Sequence, residues 1–168
     1  MTEEIKAPVE AYIDIETTGL SPDLSYITVI GIHICDGMET RNVQLVGRDV
    51  TKFDIIDALE GVDVIYTYNG KRFDLPFIHQ HLGINLDEMY EHHDLMFRCW
   101  RNNLKGGLKS VEKQLGIERE LPDVNGRMAI VLWDRYLNSA DLEALDTLLK
   151  YNLEDVVNLK TLKEMLID

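Results

Sequence analysis

The alternation of apolar and polar residues near the N-terminus predicts a β-strand over residues 9–16, because a strand points successive side chains to opposite faces. One face would carry Val9, Ala11, Ile13 and Ile15, and the other Tyr12, Asp14 and Glu16. A second apolar run covers residues 26–35, and Asp36-Gly37 after it is typical of a hairpin turn. Residues 40–46 can form the returning strand, so three antiparallel strands are predicted at the start.

The pattern then predicts a helix over 51–59, with Thr51 and Asp54 as a capping pair and Gly61 as its stop. A buried strand over 62–68, a helix from Phe73 or Asp74 and a short strand over 91–94 follow. The remaining predicted helices cover 94–104, 108–116, 126–137 and 141–166. This order indicates an α/β fold, in which a mixed central sheet of three antiparallel and then parallel strands is flanked by helices. The length predicts a single domain over residues 1–168.

Asp14 and Glu16 lie two residues apart on the first strand, so both carboxylates project from the same face. Two such close carboxylates repel each other unless a positive charge lies between them, and hard divalent cations prefer oxygen ligands. The pair is therefore a candidate metal site. The alternative is that these residues mark a solvent-facing edge of the sheet.

The last helix carries a second carboxylate on an apolar stripe. At about 100° per residue, the stripe contains Leu148, Tyr151, Asp155, Leu159, Leu162 and Leu166. A different, polar face contains Glu143, Thr147, Lys150, Glu154, Asn158 and Thr161. Asp155 is thus predicted to be buried and Glu154 to face water. A buried carboxylate needs a partner, and the chain offers few cations nearby, so metal coordination is one solution. The alternatives are that Asp155 reaches solvent at the margin of the stripe and that Tyr151 only packs in the helix.

The segment between the fourth strand and the next helix offers further candidates. Asp74 is either a metal ligand or a helix cap. Asn69 lies near the site or simply forms the Asn69-Gly70 turn. Asp94 precedes an apolar helical run, and capping is the role that we expect for it.

The formal net charge is −13, from 30 acidic and 17 basic residues. Such a charge disfavours binding of nucleic acid by long-range attraction alone. It reflects either a solvated acidic surface or carboxylates that bind cations and through them phosphate. The N-terminal segment MTEEIKAP predicts no secretory signal, and no apolar run has the length of a membrane span. Cys35 and Cys99 are predicted to be buried free thiols, and a cytoplasmic location is expected.

Taken together, three motifs resemble the DEDD (DnaQ-like) exonuclease superfamily. DIETTGL contains Asp14 and Glu16, and NGKRFD, with Asn69, Phe73 and Asp74, is similar to the second motif N-x-x-x-[FY]-D. YNLED, with Tyr151 and Asp155, resembles the third motif of the tyrosine branch, whereas the histidine branch would need His where Lys150 stands. Further segments, HHDLMFRCW and LKSVEKQLGIERE, resemble the YprB-like ribonuclease H-fold exonuclease domain over about residues 9–165.

The resemblance implies a 3′→5′ exonuclease that uses two divalent metal ions, Mg²⁺ or Mn²⁺, to hydrolyse terminal phosphodiester bonds of single-stranded DNA or RNA. It implies that Asp14 bridges both metals, that Glu16 and Asp155 complete the tighter site, and that Asp74 holds the second metal. Tyr151 would orient the attacking water. The products would be nucleoside 5′-monophosphates.

Binding of the substrate must come from local features, given the overall charge. The candidates are Asn69, Lys71, Arg72, Phe73, Arg101, Lys105 and Lys109, the last three from a basic stretch that also contains Arg98 and Lys113. That stretch is either a phosphate track or a basic helix face that serves solubility. Tyr12, Phe73 or Tyr151 could stack on a terminal base. The sequence shows no accessory nucleic-acid domain, so either the substrates are short or a protein partner delivers the strand. Two other functions stay open: a ribonuclease H-like endonuclease and a non-catalytic nucleic-acid-binding subunit.

Overall fold

The computed structural model describes residues 7–167. The described part of the chain excludes residues 1–6 of the N-terminal segment MTEEIKAP, for which no secretory signal was predicted. It also excludes residue 168, the last residue of the predicted domain. Within them, no helix combines the length and the apolar character that a membrane span requires.

The centre of the structure is a five-stranded mixed sheet. Its strands are β1 (Glu10–Thr17), β2 (Ile27–Asp36), β3 (Glu39–Val46), β4 (Val64–Thr67) and β5 (Glu91–Asp94). The spatial order is β3-β2-β1-β4-β5, with β1, β2 and β3 antiparallel and β4 and β5 parallel to β1. The predicted α/β fold, with three antiparallel strands followed by parallel ones, is confirmed. Gly37 has φ 61°, as the predicted hairpin turn between β2 and β3 requires.

Seven helices surround the sheet within the described residues. They are α1 (Lys52–Ala58), α2 (Asp74–Leu82), α3 (Leu86–Met89), α4 (Leu95–Arg101), α5 (Leu108–Leu115), α6 (Gly126–Ser139) and α7 (Leu142–Met165). Thr51 and Asp54 form the predicted capping box of α1. The sequence did not predict α3, because four residues are too few to show a helical period.

Both faces of the sheet are covered by helices. On one face, Ile13, Ile32 and Ile65 pack with apolar residues of α1, α2 and α3. On the other face, Tyr12 and Val64 pack with residues of α4, α5 and α7. β1 is the central strand, so both of its faces lie inside the protein. This position explains why a strand with two carboxylates can build an interior site.

Candidate active site

Asp14 and Glu16 project from β1 toward the helix α7. Asp14 is half-buried and Glu16 is buried, so the alternative of a solvent-facing sheet edge is wrong. Tyr12 lies on the same face but is fully buried, and its ring stacks on Tyr66 with centroids 5.1 Å apart. The prediction that Tyr12 stacks on a substrate base is therefore wrong, because helices cover this part of β1.

α7 crosses the sheet and brings a third carboxylate to this pair. The side chain of Asp155 is buried, as its place on the apolar stripe predicted, and it does not reach solvent at the margin. One carboxylate oxygen from each of Asp14, Glu16 and Asp155 lies within 4.8 Å of the others. Residues that are about 140 positions apart in sequence thus form one acidic cluster.

Asp74 approaches the cluster from another direction. It is the first residue of α2, whose N-cap is Phe73, so the prediction that Asp74 caps this helix is not what the structure shows. Its buried carboxylate instead accepts a hydrogen bond from the backbone N–H of Ile15, with N and Oδ1 3.0 Å apart. Asp74 is not part of the group within 4.8 Å, although its charge raises the pKa values of Asp14 and Glu16.

The electrostatics of the cluster are unfavourable for four charged carboxylates. Burial, and then the charge of Asp155, raise the pKa values of Asp14 and Glu16 well above their ordinary range. Burial likewise raises the pKa of Asp74 to about 7 and that of Asp155 to about 6. Removing carboxylates from water and placing them together favours their neutral forms. A bound cation would instead favour the ionised forms, because it relieves the repulsion between them.

Arg119, in the loop between α5 and α6, contacts the acidic cluster and was not predicted from the sequence. Its guanidinium forms an ion pair with Asp155 and two hydrogen bonds with Glu112, at 2.6 and 3.1 Å. The side chains of Arg119 and Glu112 are almost fully buried, and Asn158 donates a hydrogen bond to Glu112 at 3.0 Å. The expectation that few cations lie near Asp155 is therefore wrong, because a loop distant in sequence folds back onto α7.

Contacts with the same loop bury part of the face of α7 that was predicted to be polar and exposed. Glu154 was expected to face water, but its side chain is only 13% exposed and accepts hydrogen bonds from the backbone N–H groups of Glu120 and Leu121. Asn158 is buried as well. Both residues anchor the chain that follows α5.

Asn152 on α7 connects Asp14 on β1 to Gln44 on β3. Its side-chain amide donates to the backbone oxygen of Asp14 at 3.2 Å and to Oδ2 of the Asp14 carboxylate at 3.4 Å. Gln44 on β3 donates to Oδ1 of Asn152 at 3.0 Å, which fixes the amide with its NH₂ toward Asp14. A Cβ on Gly31 would lie 2.2 Å from Oδ1 of Asn152, so this close approach requires glycine on β2.

Two cavities open on the acidic cluster and share Asp14, Asn125, Gly126, Tyr151 and Asp155. The first, of about 670 Å³, is also lined by Glu16, Leu20, Phe73, Arg127 and Ile130. The second, of about 350 Å³, is also lined by Tyr68, Leu108 and Lys109. The start of α6 therefore borders the site, which the sequence did not predict.

Tyr151 and Lys109 meet at the second cavity. The Lys109 ammonium lies 5.0 Å from the centroid of the Tyr151 ring. Burial, followed by the charges of Asp155, Glu16 and Asp14, raises the pKa of Tyr151 far above its ordinary value. The hydroxyl therefore stays protonated at neutral pH and is available as a hydrogen-bond donor.

The segment 69–73 lies beside the first cavity. Asn69 has φ 59° and its backbone N–H donates to Asp94 at 2.8 Å, which fits the turn-forming role. Asp94 also caps α4 through the N–H of Met96, as expected. Phe73 lines the cavity, whereas Lys71 and Arg72 are exposed. Of the basic stretch, Lys109 reaches the site, and Arg101 and Lys105 lie on the surface.

The acidic cluster fits a divalent metal ion. Asp14, Glu16 and Asp155 offer only carboxylate oxygens, the ligands that Mg²⁺ and Mn²⁺ prefer. Asp74 and the other carboxylates together outnumber Arg119 and Lys109, and a cation would relieve the repulsion that raises their pKa values.

Comparison with known proteins agrees with this architecture. The model of the RNase_H superfamily matches residues 11–167. YprB of Bacillus subtilis (strain 168) is 28% identical over 166 residues, which cover 90% of this chain and 40% of YprB. The chain thus spans less than half the length of this relative.

Solved structures share the fold at low sequence identity. The family B DNA polymerase of Pyrobaculum calidifontis superposes with a TM-score of 0.72 at 20% identity, over 94% of this chain and 24% of the polymerase. NrnC of Brucella melitensis with bound Mg²⁺ superposes with a TM-score of 0.58 at 21% identity, over 92% of this chain and 70% of NrnC. A structure of the same NrnC bound to pGG has a TM-score of 0.55.

Proposed function

The chain belongs to the RNase_H superfamily, and on that premise we propose that it is a metal-dependent 3′→5′ exonuclease acting on single-stranded nucleic acid. The observation that carries the proposal is the convergence of Asp14, Glu16 and Asp155 within 4.8 Å in a cavity that Tyr151 also lines. The three motifs resemble those of the tyrosine branch of DEDD exonucleases. The Mg²⁺ and pGG bound to Brucella NrnC, which shares the fold, support the same chemistry.

In this proposal Asp14 would contribute to the binding of both of two divalent ions, Mg²⁺ or Mn²⁺. Glu16 and Asp155 would complete one metal site, and Asp74 would contribute to the other. When bound, the ions would supply a water of lowered pKa and neutralise the charge on the leaving oxygen. Asn152 keeps the Asp14 carboxylate in one orientation, and Arg119 does the same for Asp155.

Tyr151 acts as a donor that orients the attacking water, because its raised pKa keeps the hydroxyl protonated. The water oxygen forms a bond to the phosphorus of the terminal phosphodiester as the bond from phosphorus to the 3′ oxygen breaks. The attacking water releases one proton to solvent and the leaving 3′ oxygen takes one up, so the protons balance. The products are a nucleoside 5′-monophosphate and a strand that is one nucleotide shorter with a 3′ hydroxyl.

The residues that line the two cavities suggest which side chains contact the substrate. Phe73 lines the first cavity together with the carboxylates, and the Lys109 ammonium lies 5.0 Å from the centroid of the Tyr151 ring. We propose that Phe73 stacks on the terminal base and that Lys109 binds a phosphate. Asn69, Lys71, Arg72, Arg101 and Lys105 complete the proposed substrate-binding set.

End-labelled oligonucleotides test the direction and mode of cleavage. Matched DNA and RNA strands labelled at the 5′ or the 3′ end are incubated with Mg²⁺ or Mn²⁺. A 3′ label released at once as a mononucleotide, with a one-nucleotide ladder from the 5′ label, is the expected result. Internal fragments would instead support the ribonuclease H-like endonuclease, and binding without cleavage the non-catalytic subunit.

The proposal includes a protein partner that delivers the strand, and a cytoplasmic location, with which the buried free thiols of Cys35 and Cys99 agree. Complete degradation of long strands by the isolated chain would contradict the need for a partner.

A further inference from the structure

Three side chains form a partly exposed cluster where the turn after β4 meets α4. Trp100, in the last turn of α4, is 43% exposed, and its ring stands perpendicular to Phe97 with centroids 5.2 Å apart. The guanidinium of Arg72 lies 5.4 Å from the Phe97 centroid and 5.5 Å from the Trp100 centroid. We call Arg72, Phe97 and Trp100 the aromatic platform.

The position of the aromatic platform is fixed relative to the acidic cavity. Arg72 is directly followed by Phe73, which lines that cavity. The Asp94 carboxylate accepts hydrogen bonds from the backbone N–H groups of Asn69 at 2.8 Å and Lys71 at 3.1 Å, and it also caps α4. One buried carboxylate therefore joins the turn that carries Arg72 to the helix that carries Phe97 and Trp100.

The surroundings of the platform are basic on a protein with a net charge of −13. Arg101 directly follows Trp100 at the end of α4, and Lys71 is exposed beside Arg72. Exposed aromatic rings next to positive side chains offer a stacking surface for bases and counter-charges for phosphates. A single-stranded nucleic acid presents both groups in alternation, whereas an apolar protein surface would leave these charges without partners.

We propose that the aromatic platform binds bases of the substrate strand upstream of its 3′-terminal nucleotide, with Trp100 as the principal stacking residue. The inference rests on the proposed function, since the strand is the same one that enters the acidic cavity. We expect the 3′ end of the strand to occupy the cavity and the bases upstream of it to contact the platform. Affinity for strands of about eight nucleotides therefore exceeds affinity for dinucleotides because of Trp100.

Steady-state kinetics with substrates of two lengths test this inference. Trp100→Ala is expected to raise KM for an eight-nucleotide strand roughly 10-fold, the effect of losing one stacked base, and to leave kcat and the dinucleotide KM within about 2-fold. Phe53→Ala is the matched control, because Phe53 is an exposed aromatic with Lys52 stacked at 5.3 Å on α1. That variant should behave as the parent protein.

Fluorescence provides a readout that does not depend on cleavage. The only other tryptophan, Trp133, is buried and its indole N–H donates to the Tyr26 hydroxyl at 2.9 Å. In a Trp133→Phe variant, the emission of Trp100 should be quenched by an eight-nucleotide strand and not by a dinucleotide.

The outcomes separate this inference from the proposed function. Normal cleavage with an unchanged KM in Trp100→Ala and no quenching would overturn the platform and leave the nuclease intact, with a protein as the remaining occupant of this surface. Quenching by the strand without cleavage would retain the platform and reject the nuclease. Equal quenching by strand and dinucleotide would contradict the length dependence.

Discussion

Asn152 donates a hydrogen bond to the carboxylate of Asp14, with Nδ2 and Oδ2 3.4 Å apart, and a second to its backbone oxygen at 3.2 Å. The residue is fully buried and receives a hydrogen bond from Gln44 on its own oxygen. The orientation of a central carboxylate of the proposed metal site is thus set by α7 and β3 together.

Asn152→Ala should weaken Mn²⁺ binding by about 10- to 100-fold, the usual effect of removing a group that orients a metal ligand. Isothermal titration calorimetry measures the change. Gln44→Met is the matched variant, because it removes the donor to Asn152 without touching Asp14. It should show a smaller loss in the same direction, and unchanged Mn²⁺ affinity in both variants would contradict the role of this contact.

Arg119→Gln should destabilise the metal-free protein by about 3–5 kcal/mol, because it leaves Glu112 and Asp155 buried without a counter-charge. Urea unfolding measures the free energy. Arg135→Gln is the control, since Arg135 pairs with Asp141 on the surface and its side chain is 55% exposed. That variant should lose no more than about 1 kcal/mol, and equal losses in the two variants would disprove the structural role of Arg119.

The stability of the metal-free protein should fall as pH rises from about 5 to 8. Burial raises the pKa of Asp155 to about 6 and that of Asp74 to about 7, above their values in the unfolded chain. The folded state therefore binds more protons than the unfolded state in this range, and stability decreases as the carboxyl groups ionise.

Thermal unfolding at pH 5 and pH 8, with and without Mn²⁺, tests this dependence. Mn²⁺ binds the ionised carboxylates, so its stabilising effect should be larger at pH 8. Asp14→Asn removes one of the repelling charges and should flatten the decrease. If the stability of the metal-free protein rises toward pH 8, the carboxylates are not buried together.

Tyr151→Phe should lower kcat about 10- to 100-fold, which corresponds to one hydrogen bond to a charged or reacting group. The ring stays in place, so stability and Mn²⁺ affinity should change little. Since Tyr151 is protonated at neutral pH, the pH profile of kcat should keep its shape. A profile that loses its acidic limb would indicate that Tyr151 acts as a base, contrary to the proposed role.

Much of the fold was predictable because periodicity reports local geometry. Alternation on β1 placed Asp14 with Glu16, and the helical period of α7 predicted that Asp155 is buried. These are properties of single elements. The strand β5 was predicted with its observed bounds, Glu91–Asp94.

The errors concern contacts between distant segments. Periodicity could not show that helices cover both faces of β1, so Tyr12 was expected at the surface. Arg119 contacts Asp155 from a loop that is 36 residues away in sequence. No local sequence pattern in that loop indicates this contact. A signal for Asn152 existed: Gly31 interrupts an otherwise apolar strand, which often marks a close approach of another group.

The activity of Asp14→Asn with Mn²⁺ on a 5′-labelled single strand tests the central claim most directly. The proposed site predicts a loss of at least about 1,000-fold, since the carboxylate shared by both metal ions is removed. Asp146→Asn, which removes an exposed carboxylate of α7, is the matched control and should retain full activity. Cleavage by Asp14→Asn at the rate of the control would contradict the assignment of the active site.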